Sequence, residues 1–142
     1  MFTIDYVVGL VDGEGSFTVY VRSQEQSREI KRRVRVEPRF YLKLIATDRK
    51  ILDALQRFFD CGNVYFQKDN RAHHQHCYRF EVTNRHDLNS LIIPFFKEHP
   101  PKFPSKRKDF EIFCDIMERI NRGEHLTDSG LKRLYALKQH MH

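Results

Sequence analysis

The first apolar run lies between Thr3 and Val11, where Ile4, Val7, Val8, Leu10 and Val11 cover most of the circumference of a short helix that Thr3 can cap. A helix apolar over so wide an arc is expected to be buried. Gly9 and Gly13 lie four residues apart and so share one face, where missing side chains let a second backbone approach; Gly13 is equally suited to end the helix. From Ser16 to Arg22 the period changes to two. Phe17, Val19 and Val21 alternate with Ser16, Thr18, Tyr20 and Arg22, the pattern of a half-buried strand. A polar loop from Ser23 to Lys31 separates it from a second alternation. There Val34, Val36, Phe40, Leu42 and Leu44 oppose Arg33, Arg35, Glu37, Arg39, Tyr41 and Lys43, and Pro38 marks an edge or a bulge.

Helical spacing returns after Asp48, with Ile51, Leu52, Leu55, Phe58 and Phe59 on one side and Gly62 as the stop. Two further strands are predicted, Asn63 to Lys68 and His76 to Thr83, joined by the polar hairpin loop DNRAHHQ. Asp87 opens a helix through Leu88, Leu91 and Ile92, and Pro94 is expected to end it. Beyond the link HPPKFP, a longer helix turns Phe110, Phe113, Met117 and Ile120 inward. A last helix starts at Thr127, Asp128 and Ser129 and carries Leu131, Leu134 and Tyr135. The order helix, two strands, helix, two strands, helices describes an α+β domain with a sheet under helices.

With 142 residues, 40% apolar and 31% charged, the chain suits one domain (residues 1–142) and no membrane span. The three cysteines, Cys61, Cys77 and Cys114, form no Cys-x-x-Cys pair and fit free thiols in a reducing compartment. The N-terminus lacks the features of a secretory signal. The formal charge of +6 favours a polyanionic partner. That charge is local, since Arg22, Arg28, Lys31, Arg32, Arg33, Arg35, Arg39, Lys43, Arg49 and Lys50 outnumber Glu25, Glu29, Glu37 and Asp48. Alternate strand residues recur every 6.6 to 6.8 Å or so, about two base-pair rises of B-DNA, so one polar strand face can follow a major groove; a solvated outer sheet face is the plainer alternative.

Two further features carry chemistry. Lys106, Arg107 and Lys108 fall at the expected start of a helix, where the macrodipole disfavours cations unless a phosphate sits there; a later helix start would also remove the conflict. In Asp12-Gly13-Glu14-Gly15, two carboxylates follow an apolar helix. Glu14 and the Gly13 carbonyl are hard oxygen donors suited to Mg²⁺, although such a run also makes an ordinary polar helix end. Weaker candidates are Tyr65, Gln67, Arg79 and Glu81, which oppose the core residues of their strands and can touch bases or phosphates. His73, His74, His76 and Cys77 straddle a hairpin without zinc spacing and read as a solvated or DNA-facing loop. No Ser-His-Asp set or Walker loop is evident.

The run VVGLVDGEG followed by Ser16 and Phe17 resembles the signature of the LAGLIDADG homing endonucleases. The likeness extends over nearly the whole chain through EPRFYLKLIATDRKILDALQRFF, LIIPFF, SKRKDFEIF and GEHLTDSGLKRLYALKQHM. It implies an αββαββα fold whose signature helices pack against each other around Val8, Gly9, Asp12 and Gly13, and a saddle of strands lying in the DNA major groove. Glu14 takes the metal-binding position, for Mg²⁺ with Mn²⁺ as substitute, while Asp12 braces the helix end. Lys106 takes the basic position near the scissile phosphate, with Lys108 or Lys102 in a slipped register. A polar residue late in the second strand is replaced by Leu44. One signature implies a homodimer cutting double-stranded DNA at a long pseudo-palindromic site with a staggered break. A non-cleaving relative, such as a regulator or a maturase on intron RNA, is the alternative. The implied setting is an organelle, mitochondrion or chloroplast, or a microbial or viral cytoplasm.

Overall fold

The computed structural model describes residues 2–23, 35–71 and 75–142. Arg28, Lys31, Arg32, Arg33, Val34, His73 and His74, named above, lie outside them. Thr3 caps the first helix, α1 (Ile4–Glu14), its hydroxyl accepting from the Tyr6 N–H at 3.1 Å. The helix runs through Gly13 rather than stopping there and ends at Gly15, whose backbone is extended (φ −83, ψ 159). Chain direction turns abruptly here, and a Cβ at Gly15 would stand 2.9 Å from the Val11 carbonyl oxygen, so only glycine lets the strand leave the helix this closely.

Four antiparallel strands follow in the spatial order β1-β2-β4-β3: β1 (Gly15–Val21), β2 (Val36–Ile45), β3 (Asn63–Gln67) and β4 (Cys77–Val82). Register is continuous across β1 and β2, with Val19 opposite Pro38, so there is no bulge. The Arg22 N–H to Arg35 carbonyl bond at 2.9 Å sets the ladder phase and puts Pro38 in a non-hydrogen-bonded pair. Its missing donor would point toward β4, which pairs with β2 only from Phe40 onward, so Pro38 occupies a local edge.

A 3-10 turn (Ala46–Asp48) leads into α2 (Arg49–Phe59). This helix stops earlier than the expected Gly62, because Asp60 takes the left-handed conformation (φ 55) and its N–H bonds the Gln56 carbonyl. Gly62 also has positive φ (+87) and packs against the Phe80 ring. The helical stretch after β4 is capped by Asn84 rather than Asp87 and does not end at Pro94. It comprises α3 (Arg85–Asp87), a π-helical segment (Leu88–Ile92) and α4 (Ile93–Glu98). The widened π turn accommodates Pro94, which lacks the N–H and crowds the preceding turn of a regular helix. Then come α5 (Pro104–Asn121), a 3-10 turn (Glu124–Leu126) and α6 (Asp128–Lys138), the last capped by the Thr127 hydroxyl.

Helices cover one face of the sheet. Phe17 sits at the centre of that layer, its ring 5.0 Å from Phe40, 5.3 Å from Phe96, 5.0 Å from Phe110 and 5.5 Å from Phe113. The expected inward residues Phe59, Phe110, Phe113, Met117, Ile120, Leu131 and Leu134 are buried, whereas Tyr135 and Leu91 face outward. Leu44 also packs against this core. The first helix is not buried all round: Ile4 and Tyr6 are 44% and 47% exposed, and only one side of it lies on the sheet. Burial lifts the thiols of Cys61 and Cys114 to about 11, so both stay protonated and unreactive at neutral pH. Among the described residues no helix is long and apolar enough to cross a membrane.

Replacing Phe17 by Ala removes the ring that joins sheet to helices, and by the cost of emptying aromatic core sites the loss is about 3–5 kcal/mol, measured by urea unfolding.

Candidate nucleic-acid interface and carboxylate site

Two acids at the end of α1 have opposite fates. Asp12 and Glu14 are two residues apart, about 200° around a helix, so they cannot face the same side. Asp12 is 6% exposed. Its carboxylate accepts from the Lys102 N–H at 3.0 and 3.1 Å and from the Phe103 N–H at 3.3 Å, which compensates its burial. Asp12 turns into its own chain and braces, as the resemblance implies, but what it braces is the 102–103 segment, and it does not share a side with Glu14 as a catalytic group would. Val8, expected with Asp12 on the contact between signature helices, is likewise buried within the chain at 5%.

Glu14 is exposed, and its carboxylate has no hydrogen bond or ion pair among the described residues. It lies at the negative end of α1, whose last turn carries no basic residue. Gly15 N–H takes the Val11 carbonyl, which leaves the later carbonyls of α1, Gly13 included, without a following helical donor. A free carboxylate and a helix-end carbonyl form a hard oxygen set that fits a divalent cation. Among the described residues no three His, Cys, Asp or Glu gather as a metal site.

Asp12 also fixes the start of the next basic element. The segment it holds runs into α5, which begins at Pro104, so Lys106 and Arg107 do occupy the first turn of an 18-residue helix and no later start relieves them. Lys106 is half-buried, and its ammonium donates to the Gly15 carbonyl, one residue from Glu14. Arg107 is drawn off toward Glu111 at 3.6 Å, while Lys108 and Lys102 are exposed. Of the three lysines weighed for the basic position, only Lys106 touches the backbone beside Glu14.

The sheet face away from the helices is polar. Ser16 lies opposite Tyr41, Tyr41 opposite Glu81 and Glu81 opposite Asn63; Lys43 lies opposite Arg79, and Arg79 opposite Tyr65. Thr18 pairs with Arg39 and Tyr20 with Glu37. Every described strand residue expected on the DNA-facing side thus shares one surface, with Arg22 and Arg35 at the ends and Gln67 on the β3 edge. Glu81 is its hub. Its carboxylate lies 3.5 Å from Arg39 Nε and 3.2 Å from Arg79 Nε, and it accepts from the Tyr65 hydroxyl. Arg39 reaches Glu37 at 2.6 Å, and the Arg79 guanidinium stacks 3.6 Å over the Tyr41 ring. Burial, then the bond to Glu81, raises the pKa of Tyr65. Sequence alternation places these residues on one face but does not reveal that one carboxylate ties three of them. Leu44 lies on the other face and contributes nothing polar here.

On the outer side of α1, an added Cβ at Gly9 or Gly13 meets no atom within 4 Å. They form an open strip at helical spacing, flanked by Tyr6, whose ring packs 5.0 Å from that of Phe2.

The sequence matches the LAGLIDADG endonuclease family over residues 7–117. It is 35% identical over 108 residues to the probable intron-encoded DNA endonuclease 1 of Mycosarcoma maydis, covering 76% of this chain and 34% of that protein. The chain thus spans about a third of the length of that curated relative. Among solved structures, the homing endonuclease I-TnaI superposes with a TM-score of 0.80 at 35% identity, covering 99% of this chain and 88% of the other. The homing endonuclease I-GzeII in complex with its DNA target gives 0.81 at 28%, covering 100% of this chain and 44% of the other.

The two acids separate in a stability measurement. Asp12→Ala leaves two inward N–H groups unsatisfied and costs about 1–3 kcal/mol, whereas Glu14→Gln leaves the urea midpoint unchanged.

Proposed function

Because the chain belongs to the LAGLIDADG endonuclease family, we propose that it is one half of a site-specific DNA endonuclease, completed by a second copy of itself as a homodimer. The observation that carries this is the Glu14 carboxylate at the helix end, without a partner among the described residues, with Lys106 held beside it and a continuous polar sheet face running away from it. DNA as the partner is supported by the solved neighbour bound to its DNA target and by the local excess of Arg and Lys. The half-site reading is supported by the open Gly9 and Gly13 strip. Some similar chains are more than twice as long, as the 44% coverage indicates, so a second unit joined in one longer chain is the other way to complete the pair.

Glu14 and the Gly13 carbonyl would hold Mg²⁺, or Mn²⁺ in its place. A cation so held supplies an activated water and neutralises charge building on the phosphodiester. Lys106, fixed by the Gly15 carbonyl, presents a positive charge to the same phosphate; its position is set by Asp12 through the 102–103 segment. The preorganised Arg39, Arg79 and Tyr65 lie along the face that meets base edges, and each unit addresses one half of a two-fold related target. One such centre per strand gives a staggered double-strand break.

One observation favours a non-cleaving binder: late in the second strand, where the resemblance implies a polar residue, the chain has the apolar Leu44, packed against the core. The decision rests on Glu14→Gln. It is expected to retain duplex binding and lose strand cleavage on a randomised target library; a wild-type protein that binds but never cuts with Mg²⁺ or Mn²⁺ supports the binder instead. Chelation by EDTA is expected to stop cleavage and added Mg²⁺ to restore it. Gly13→Leu enters open space, so its unfolding midpoint stays near wild type while sedimentation shows the pair lost.

A further inference from the structure

At the end of the sheet remote from Glu14, a cleft of about 550 Å³ lies between the start of β2, the end of β4 and the 3-10 turn Glu124–Leu126. Arg35, Thr83, Arg85 and His125 line it. The Arg35 guanidinium makes one contact, to the Leu126 carbonyl at 3.4 Å, and neither Arg35 nor Arg85 has a carboxylate partner among the described residues. The acid that lines the cleft, Glu37, is held by Arg39 at 2.6 Å. The neighbouring Glu124 is drawn to Arg119, Arg122 and Arg133 at 3.4 to 3.8 Å. His125 Nδ1 is shielded from solvent with no hydrogen-bond partner among the described residues. Burial, then the charges of Arg85 and Arg35, lowers the pKa of His125. Two guanidiniums are thus gathered with their countercharges engaged elsewhere, beside the Thr83 hydroxyl and the His125 ring.

The geometry points to a phosphate-binding cleft formed by Arg35, Arg85, Thr83 and His125, which grips one backbone phosphodiester of the duplex lying on the polar sheet face. A diester carries one charge and two free oxygens, which match guanidinium donors approaching from two sides. The diester is favoured over a free anion by position, since Val36 at the cleft pairs with Val21, the last residue of the first strand. The 7 residues of β1 place the cleft about 20 Å from the Glu14 end, near six base-pair steps along B-DNA. The assignment rests on the DNA-binding reading above and adds a sequence-independent anchor that fixes each half-site at its outer end.

Affinity for a mixed-sequence duplex, measured over a series of salt concentrations, tests it. The Arg35→Ala/Arg85→Ala variant is expected to bind every duplex sequence more weakly by the same factor, and its plot of log affinity against log salt is shallower by about one. Arg35→Lys/Arg85→Lys restores that slope. Arg85→Ala alone, at an exposed position, shifts it in the same direction and serves if the double variant unfolds. An unchanged slope in a folded double variant overturns the anchor and leaves DNA binding intact. Failure of the wild type to bind duplex at any salt overturns the DNA reading itself. Calorimetric binding of inorganic phosphate that depends on Arg35 and Arg85, with the duplex slope unchanged, makes this a free-anion site and overturns the diester assignment.

Discussion

A carboxylate taken out of water must be answered by donors, and the way Asp12 is answered sets the geometry of this molecule. Its partners are the main-chain N–H groups of Lys102 and Phe103, some ninety positions further along the chain. Backbone donors have no rotamers, so the bond fixes segment against segment rather than side chain against side chain. The segment so held becomes the first turn of α5, and Lys106 arrives at the Gly15 carbonyl as a consequence. One buried acid thus positions both the helix that ends in Glu14 and the lysine that stands beside it. The same requirement leaves the exposed acid, two residues on, outside this network.

The sheet divides its labour by parity. Its inner positions converge on Phe17, where four rings lie within 5.5 Å, and this gives the thin sheet a stiff backing. Its outer positions are charged but not loose. Glu81 lies within 3.5 Å of two arginines and also engages Tyr65, so these side chains lose little freedom on meeting a partner. A surface of free arginines would grip any polyanion. A surface whose arginines must leave a carboxylate, or keep it and offer only their remaining donors, discriminates by geometry.

Local rules were enough for much of this. Alternation in Ser16 to Arg22 and around Phe40 gave the correct faces, and the strand-helix order followed from period changes alone. What escaped were features decided by tertiary contact. By local pattern alone Asp12 and Glu14 look equivalent; the resemblance separates their roles, and the 102–103 segment supplies the physical reason. Pro94 reads as a stop, but a π turn absorbs it. Gly62 reads as the cap of α2, yet Asp60 adopts the left-handed conformation first. Tyr135 shares the helical spacing of Leu131 and Leu134 but falls at the edge of the buried stripe. The Arg35, Arg85 and His125 cleft joins residues from three distant stretches, none conspicuous by itself.

In the proposed homodimer the strip on α1 would link assembly to charge. Seating a second unit against Gly9 and Gly13 brings together two helix C-termini, each of negative polarity and each carrying an uncompensated Glu14. Two like carboxylates brought close in this way repel, and the helix ends add to the repulsion. Lys106 offsets part of this, yet its ammonium is already engaged with the Gly15 carbonyl. Pairing through glycines supplies close contact but little apolar area beyond Tyr6 and Leu10, so the repulsion acts against a modest contact. Cation binding between the two acids would remove the opposing term. In that case the metal contributes to assembly as well as to cleavage, and the free pair is held together less firmly than the pair on DNA.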